Sequence, residues 1–386
     1  MEYTFSRLIE NEYYKIEVNP DGTLNIFDKK NSNYYERMHL FQDRSDAGNE
    51  YEYSPAFRDE VILPILKNLS IIKNSDISST IKLEFEMEVP DGVDGFVKRS
   101  EDKVINKIIS YVILYKGIDR IDFKTKIQNN AKDHILTVNF NSGINTEKEN
   151  AYIPFDIIER NVKINECDLS ENEIETPFKP MQLFVSISDD KKAFTLATRG
   201  IYEYQTKKEK NVEVSITLLR SVSYLFRDVL PNSKDGQPCT TPVIFTKDAQ
   251  CIGEGTFEYS IVLHSKDCIR DNVFKRAFEY ETPLIAYYSN KGTKSVLPNK
   301  FSLLQVEGEG VILSAFKKAE FDDAIIIRLF NITGIEQSAK IKLNFNFNRI
   351  LLSNMLEEDK DELNHSNNYI SLIFKPKEIV TLKIYI

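Results

Sequence analysis

The chain has 386 residues, of which 41% are hydrophobic and 28% are charged, and its formal net charge is −9. This composition is typical of a globular protein with a sizeable core. The acidic balance argues against nucleic-acid and membrane-surface partners, because phosphate recognition needs a basic field. The first residues show no signal-peptide pattern, and no apolar run approaches the roughly 18 residues of a membrane span. We therefore expect a cytoplasmic protein.

Strand periodicity dominates the chain from its beginning. Pro20, Asp21 and Gly22 supply the bend of a predicted hairpin over residues 19–28. Residues 56–69 have some helical spacing, but Pro64 would interrupt a helix there. Strict alternation then predicts half-buried antiparallel strands in three places. Their inward residues are Ile81, Leu83, Phe85, Met87 and Val89; Ile121, Phe123, Thr125 and Ile127; and Ile341, Leu343, Phe345 and Phe347.

A change in composition near residues 266–300 divides the chain. This stretch is charged, contains prolines and shows no clean period, which is typical of a connector. Five short strand-like segments follow it, enough for a small sandwich, and the long part before it predicts one very large sandwich. We predict an all-β protein with domains at 1–270 and 301–386 and a connector at 271–300.

Metal and nucleotide motifs are absent from the sequence. The four cysteines lack Cys-x-x-Cys spacing, which favours reduced thiols: Cys167, Cys239, Cys251 and Cys268. The four histidines lack metal-binding spacing: His39, His134, His264 and His365. No phosphate-binding glycine motif or serine-hydrolase motif occurs either. The sequence therefore predicts no metal site and no cofactor in this chain.

The candidate site residues lie in loops that combine carboxylates, phenols and arginines, the groups that suit a hydroxyl-rich ligand. They are Asp46, Asn49, Tyr51 and Tyr53 in one loop, and Arg199 and Arg220 at two later strand ends. Structural roles remain open alternatives. Arg220 could neutralise a carboxylate at the end of a strand. Tyr51 and Tyr53 could pack at the edge of the fold with their hydroxyl groups exposed to solvent. With 59 Asp and Glu residues, the sequence selects no catalytic carboxylate pair.

The order of several segments resembles the C-terminal β region of glycoside hydrolase family 38, the zinc-dependent α-mannosidases and mannosylglycerate hydrolases. An early strand leads into DGTL at 21–24 and then into DAGNEYEYSP at 46–55. Later segments follow in the family's order: FVSISDDKKAFTLATRGIYEYQ, ITLLRSVSYL, VILSAFKKAE, IIIRLFNITG and PKEIVTLKIYI. The resemblance implies a β-supersandwich like that of galactose mutarotase, followed by a small β-sandwich.

The resemblance also implies a missing part. The family's catalytic barrel, with its zinc ligands and aspartate nucleophile, has no counterpart here, so we expect this chain to be inactive alone and to bear no catalytic residue. Its expected partners are a mannose-containing glycan or a mannosylglycerate-like carbohydrate, and a zinc-bearing barrel in cis or on a separate chain. By analogy with such enzymes, we expect Asp46, Asn49, Tyr51 and Tyr53 to contact hydroxyls of a mannose held mainly by the barrel. Asn49 stands where many relatives have an aspartate.

Two other functions remain open at this stage. The chain could be a stand-alone carbohydrate-binding module. It could also be a mutarotase-like epimerase, which requires a general acid and a general base at the anomeric oxygens. His134 and His264 are the residues that could serve in that reaction.

Overall fold

The computed structural model describes residues 7–95, 97–163, 177–226, 243–288, 298–365 and 368–386. Cys167 and Cys239 lie outside these ranges. The chain divides into two compact units, one formed by Met1–Ala151 with Glu159–Thr282 and the other by Tyr152–Ile158 with Pro283–Ile386. Regular structure in the described residues is almost entirely β, so the all-β prediction is confirmed.

Three sheets and two short hairpins occupy the described residues between 8 and 264, a stretch that belongs to the larger unit except at residues 152–158. In chain order its strands are β1 (Leu8–Glu10), β2 (Tyr14–Val18), β3 (Leu24–Asp28), β4 (Asn33–Met38), β5 (Leu40–Ser45), β6 (Ile65–Asn74), β7 (Ser78–Pro90), β8 (Val93–Asp94), β9 (Lys98–Arg99), β10 (Lys103–Tyr115), β11 (Ile121–Asn129), β12 (His134–Asn141), β13 (Lys148–Ile153), β14 (Asp156–Asn161), β15 (Phe178–Pro180), β16 (Phe184–Ser188), β17 (Ala193–Arg199), β18 (Glu203–Lys208), β19 (Val212–Ser221), β20 (Tyr224–Phe226), β21 (Ile244–Phe245) and β22 (Gly253–His264).

The sheet orders show how distant segments become neighbours. They are β1-β2-β3-β4, then β14-β13-β16-β17-β22-β11-β10-β7-β6, and then β15-β18-β19-β12-β5, with the hairpins β8-β9 and β20-β21. All strand pairings with a resolved register are antiparallel, for example β10 with β7 and β12 with β19. Consequently β19 and β5 both flank β12 and bring residues near 220 beside residues near 45.

One hydrophobic core receives side chains from all three sheets. Ile26 enters it from the four-stranded sheet, Phe85 and Val112 from the nine-stranded sheet, and Val138 and Ile216 from the five-stranded sheet. The predicted inward faces of 81–89 and 121–127 are buried throughout, so both strand predictions are confirmed. Pro64 immediately precedes β6, and residues 65–74 form a strand rather than a helix.

The sequence analysis missed a helix. Helix α1 (Val273–Glu281) lies within the predicted connector and belongs to the larger unit, and a 3₁₀ turn occupies Lys247–Gln250. The buried residues of α1 follow helical spacing over only two turns: Val273, Phe274, Ala277 and Tyr280. A pattern this short is easily masked by flanking charges. None of the described helices has the length and apolar character that a membrane crossing requires.

After residue 298 the described part of the chain forms eight strands in two sheets, three more than the five predicted segments. They are β23 (Leu304–Glu307), β24 (Val311–Lys318), β25 (Ala324–Asn331), β26 (Gln337–Leu343), β27 (Arg349–Ser353), β28 (Asp359–Glu362), β29 (Tyr369–Phe374) and β30 (Ile379–Tyr385). The orders are β23-β26-β29 and β24-β25-β30-β27-β28. Ile341 and Leu343 are buried as predicted, but β26 ends at Leu343, so Phe345 and Phe347 lie beyond it and are only partly buried.

Candidate functional site

A buried carboxylate organises the loop that follows β5. The Asp46 backbone N–H donates to the Asp133 carbonyl at 2.9 Å. Asp46 Oδ1 accepts from the backbone N–H groups of Gly48 at 2.9 Å and Ser54 at 3.2 Å. The Ala47 N–H also donates to the Ser54 carbonyl at 2.7 Å, which closes the loop at its base. Residues 46–54, called the acidic loop below, therefore have a fixed backbone.

Arg220 clamps the acidic loop from β19. Its Nε donates to Asp46 Oδ2 at 2.6 Å, and its Nη2 donates to the Asn49 carbonyl at 2.6 Å. A longer bond of 3.3 Å joins Nη1 to the Glu50 carbonyl. Charge-assisted bonds of this length are among the stronger polar contacts in proteins. The structure thus joins three of the predicted site residues, and Arg220 neutralises a carboxylate, as in the structural alternative.

Asn49 faces into the loop. Its Oδ1 accepts from the backbone N–H groups of Tyr51 and Glu52, both at 2.9 Å, which is the local turn that Asn and Asp side chains favour. A neutral amide oxygen is sufficient for this pair of bonds. Asn49 therefore shapes the loop without carrying a charge.

The exposed tip of the loop is formed by Glu50, Tyr51 and Glu52. Tyr51 is 76% exposed, whereas Tyr53 packs edge-on against Phe178 with ring centroids 5.0 Å apart. Burial raises the pKa of the Tyr53 hydroxyl above its usual range. Sequence analysis did not select the two glutamates, although their alternation with Tyr51 and Tyr53 was the available signal. Tyr51 is the predicted residue that an incoming ligand would meet first.

A buried polar network supports the base of the loop, and sequence analysis did not find it. Asp43 on β5 accepts from Arg99 Nη2 at 2.5 Å and from His134 Nδ1 at 2.5 Å. His134 Nε2 lies 2.9 Å from Asn129 Oδ1. The side chains of Asp43, Arg99 and His134 are almost completely buried. Since Asp43 lies three residues before Asp46, this network holds the strand from which the acidic loop departs.

Arg199 lies in a different environment. Its Nη1 donates to Glu258 Oε2 at 2.5 Å, its Nη2 donates to the Tyr280 carbonyl, and its guanidinium lies 4.6 Å from the Tyr280 ring centroid. These contacts tie β17 to β22 and α1. Arg199 shares none of the recorded hydrogen-bond partners of Arg220, so the structure does not group these two predicted residues.

The histidines needed for the epimerase alternative are buried. His134 is held by Asp43 and Asn129, as described above. His264 Nε2 lies 2.8 Å from Thr195 Oγ1, and burial lowers the pKa of His264 to about 4 despite Asp271 nearby. Neither imidazole is placed to meet a sugar from solvent, so the geometry gives this alternative no support.

Burial also raises the pKa of Asp46, to about 6, although Arg220 and two backbone N–H groups act to lower it. In the unfolded chain this carboxyl has its ordinary pKa of 3.8. Between these values the folded protein keeps a proton that the unfolded chain has released. The contribution of Asp46 to the free energy of unfolding should therefore fall by about 3 kcal/mol as the pH rises from about 4 to about 6. Above about pH 6 this contribution should stay constant.

Urea unfolding at several pH values, in the wild type and in Asp46→Asn, measures this contribution. Asparagine keeps the shape but does not titrate, so the difference in unfolding free energy between the two proteins should change across the window. A difference independent of pH would contradict the assignment to Asp46.

Two regions of the chain match domains of a known protein family. Residues 9–235 match the glycosyl hydrolases family 38 C-terminal domain, and residues 310–382 match the C-terminal beta sandwich domain of the same family. The chain belongs to glycosyl hydrolase family 38. Its two matched regions are both C-terminal parts of that family, which confirms the resemblance found in the sequence.

Relatives in family 38 are much longer than this chain. A protein named "Putative mannosylglycerate hydrolase" from Halalkalibacterium halodurans is 26% identical over 399 residues, which cover 97% of this chain and 41% of that protein. An alpha-mannosidase structure from Enterococcus faecalis V583 aligns with a TM-score of 0.84 at 23% identity, covering 99% of this chain and 42% of its own. A second structure from Enterococcus faecalis, of a protein in glycosyl hydrolase family 38, aligns with a TM-score of 0.80 at 23% identity. The alignment covers 99% of this chain and 44% of that protein. The chain thus spans about two-fifths of these relatives.

Proposed function

We propose that this chain is the C-terminal β portion of an α-mannosidase-like hydrolase and that its acidic loop supplies part of the wall of the sugar site. Family membership supports the hydrolase class. The names of the relatives, alpha-mannosidase and mannosylglycerate hydrolase, support an α-mannoside as the substrate. Bond cleavage, with retention at the anomeric carbon, is assigned to a catalytic domain outside this chain.

The observation that carries the proposal is the fixed conformation of the acidic loop. Arg220, Asp46 and Asn49 hold its backbone through six hydrogen bonds from or to their side chains. A loop held in this way loses little conformational freedom when a ligand binds, which favours affinity.

The tip of the loop has the chemistry of a carbohydrate contact. The Tyr51 ring offers an apolar face and a hydroxyl, and the carboxylates of Glu50 and Glu52 can accept hydrogen bonds from neighbouring sugar hydroxyls. Arg220 acts one step behind this surface as a positioning residue, because its bonds end on the loop. The chain's role in this proposal is to bind and orient the substrate.

Zinc belongs to the catalytic domain in this proposal. Within the described ranges no group of three or more His, Cys, Asp or Glu side chains is placed to hold a metal ion. We therefore derive no step through zinc on this chain. A catalytic barrel, in cis or as a separate chain, is the proposed partner.

Calorimetry with methyl α-mannopyranoside tests the proposal. We expect millimolar binding by the chain and about a fivefold weaker affinity in Tyr51→Ala, since a stacked ring contributes about 1 kcal/mol. Tyr34→Ala is the matched control, because Tyr34 is 50% exposed on β4 in another sheet. Equal loss in both variants, or no binding at all, would refute the loop as a sugar contact. Hydrolysis of an aryl α-mannoside by this chain with zinc would refute the proposal that bond cleavage requires a catalytic domain outside this chain.

A further inference from the structure

A cavity of about 430 Å³ lies in the larger unit, and Arg220 is one of the residues that line it. Its walls come from the end of β11, from residues 218–220 of β19 and from residues 251–257 at the start of β22. These segments belong to the nine-stranded and five-stranded sheets, so the cavity opens where the two sheets separate. Its volume is in the range of small-molecule sites, and its lining is mainly apolar with a few polar groups, as such sites usually are.

One wall includes the aromatic ring of Phe257, which packs against the backbone of its own strand. Gly255 and Phe257 are two residues apart on β22 and share one face of the sheet. A Cβ atom added at Gly255 would lie 2.9 Å from Phe257 Cε2 and 3.0 Å from Cζ. The ring therefore packs over the backbone at Gly255, and a larger residue there would require the Phe257 side chain to shift. The ring is partly buried against the hydrophobic core, and the part that lines the cavity can contact an apolar ligand face.

Polar groups border the same cavity. A guanidinium has five N–H donors, and the acidic loop uses three of those of Arg220, which leaves two. Gly253 and Gly255 contribute backbone surface because they have no side chains. Residues 253–257 pair with β11 on one side, whereas the pairing of β22 with β17 begins only at Glu258. Alternate backbone N–H and C=O groups of this stretch thus have no strand partner among the described residues.

We propose that this cavity binds a single pyranose ring, in a second carbohydrate site separate from the tip of the acidic loop. A pyranose has one apolar C–H face, which suits Phe257, and a rim of hydroxyls, which suits Arg220 and the backbone edge. The choice of a sugar as the ligand rests on the proposed function. Arg220 lines the cavity and also holds the acidic loop. A pyranose ring bound in the cavity would therefore contact the side chain that fixes the loop.

Cys251 reports directly on this cavity. It lines the wall, is exposed and carries a free thiol. We expect methyl α-mannopyranoside to slow alkylation of Cys251 by iodoacetamide, measured by mass spectrometry of its peptide. At about four times the dissociation constant, the rate should fall about fivefold, because one site in five is free. Alkylation of the other cysteine peptides is the internal reference.

Three variants separate this site from the loop. Ile252→Trp places a bulky ring in the cavity and should abolish the protection, whereas Ile72→Trp should retain it, because Ile72 is equally exposed on β6. Tyr51→Ala should also retain the protection, even if the loop itself fails to bind sugar, so the two proposals are tested independently. Glycerol, which has no ring face, should not protect. Unprotected Cys251 in the wild type, unchanged protection in Ile252→Trp, or equal protection by glycerol would overturn the proposal.

Discussion

Replacement of Gly48 by alanine is expected to disrupt the acidic loop and to lower the free energy of unfolding by about 3 kcal/mol, the upper part of the range for overpacking. An added Cβ would lie 2.0 Å from the Glu52 carbonyl oxygen, 2.8 Å from Asp46 Oδ1 and 2.9 Å from the Ser54 backbone nitrogen. Two of these three atoms are backbone, so no side-chain rotation relieves the collision. Relief requires the loop to move away from Asp46.

The measurement is urea unfolding followed by far-UV circular dichroism, combined with calorimetry of sugar binding. Gly92→Ala is the matched control in the same unit, because the atom nearest to its added Cβ lies 3.6 Å away, an ordinary contact. We expect that control to change stability by about 1 kcal/mol at most. A Gly48→Ala protein with wild-type stability and wild-type sugar affinity would show that the loop does not depend on this close approach.

Removal of the Asp43 carboxylate is expected to have a comparable or larger effect, about 3–5 kcal/mol in Asp43→Ala, the usual cost of breaking a buried ion pair. Asn129 Nδ2 donates only to oxygen atoms, those of Ala131, Ser221, Gln250 and Cys251. Its Oδ1 therefore faces His134 Nε2, and His134 Nδ1 lies against Asp43 Oδ2. Without Asp43, this histidine and Arg99 would both lose their buried acceptor.

Asp43→Asn sharpens the test because it keeps the side-chain volume and one acceptor oxygen. Its cost should lie between those of the wild type and Asp43→Ala in the same unfolding measurement. Glu101→Ala, which removes the exposed Lys98–Glu101 contact of 2.6 Å, should leave stability unchanged. If Asp43→Ala unfolded within about 1 kcal/mol of the wild type, the network would not be the support inferred here.

The strand predictions succeeded where the evidence was local. Alternation from Ile81 to Val89 depends on neighbouring side chains pointing to opposite faces, which any single segment reveals. Only the predicted length of the strand was wrong beyond Leu343: β26 ends there, although Phe345 and Phe347 still pack against the core, partly buried. Side-chain periodicity predicts which face of a strand a residue would occupy. It does not predict the residue at which pairing with the neighbouring strand ends.

The sequence predicted which residue types form the candidate site, but it did not predict the hydrogen bonds that join them. The sequence indicated that the loop at 46–53 is rich in carboxylates and phenols, and it selected Arg220 as a candidate. The Arg220–Asp46 bond joins residues 174 positions apart, and the His134–Asp43 bond joins residues 91 apart. Such pairs depend on strand order within a sheet, which periodicity does not encode.

By itself, then, the sequence determined the all-β class, the inward faces of the regular strands, and family 38 membership through the order of its segments. Only the tertiary structure decided that Asp46 and Asn49 turn inward, that Glu50 and Tyr51 turn outward, and that Arg220 serves the loop while Arg199 serves β22 and α1. The physical reason is that side-chain periodicity is a property of one strand, whereas burial and charge pairing are set by strands brought together from across the chain.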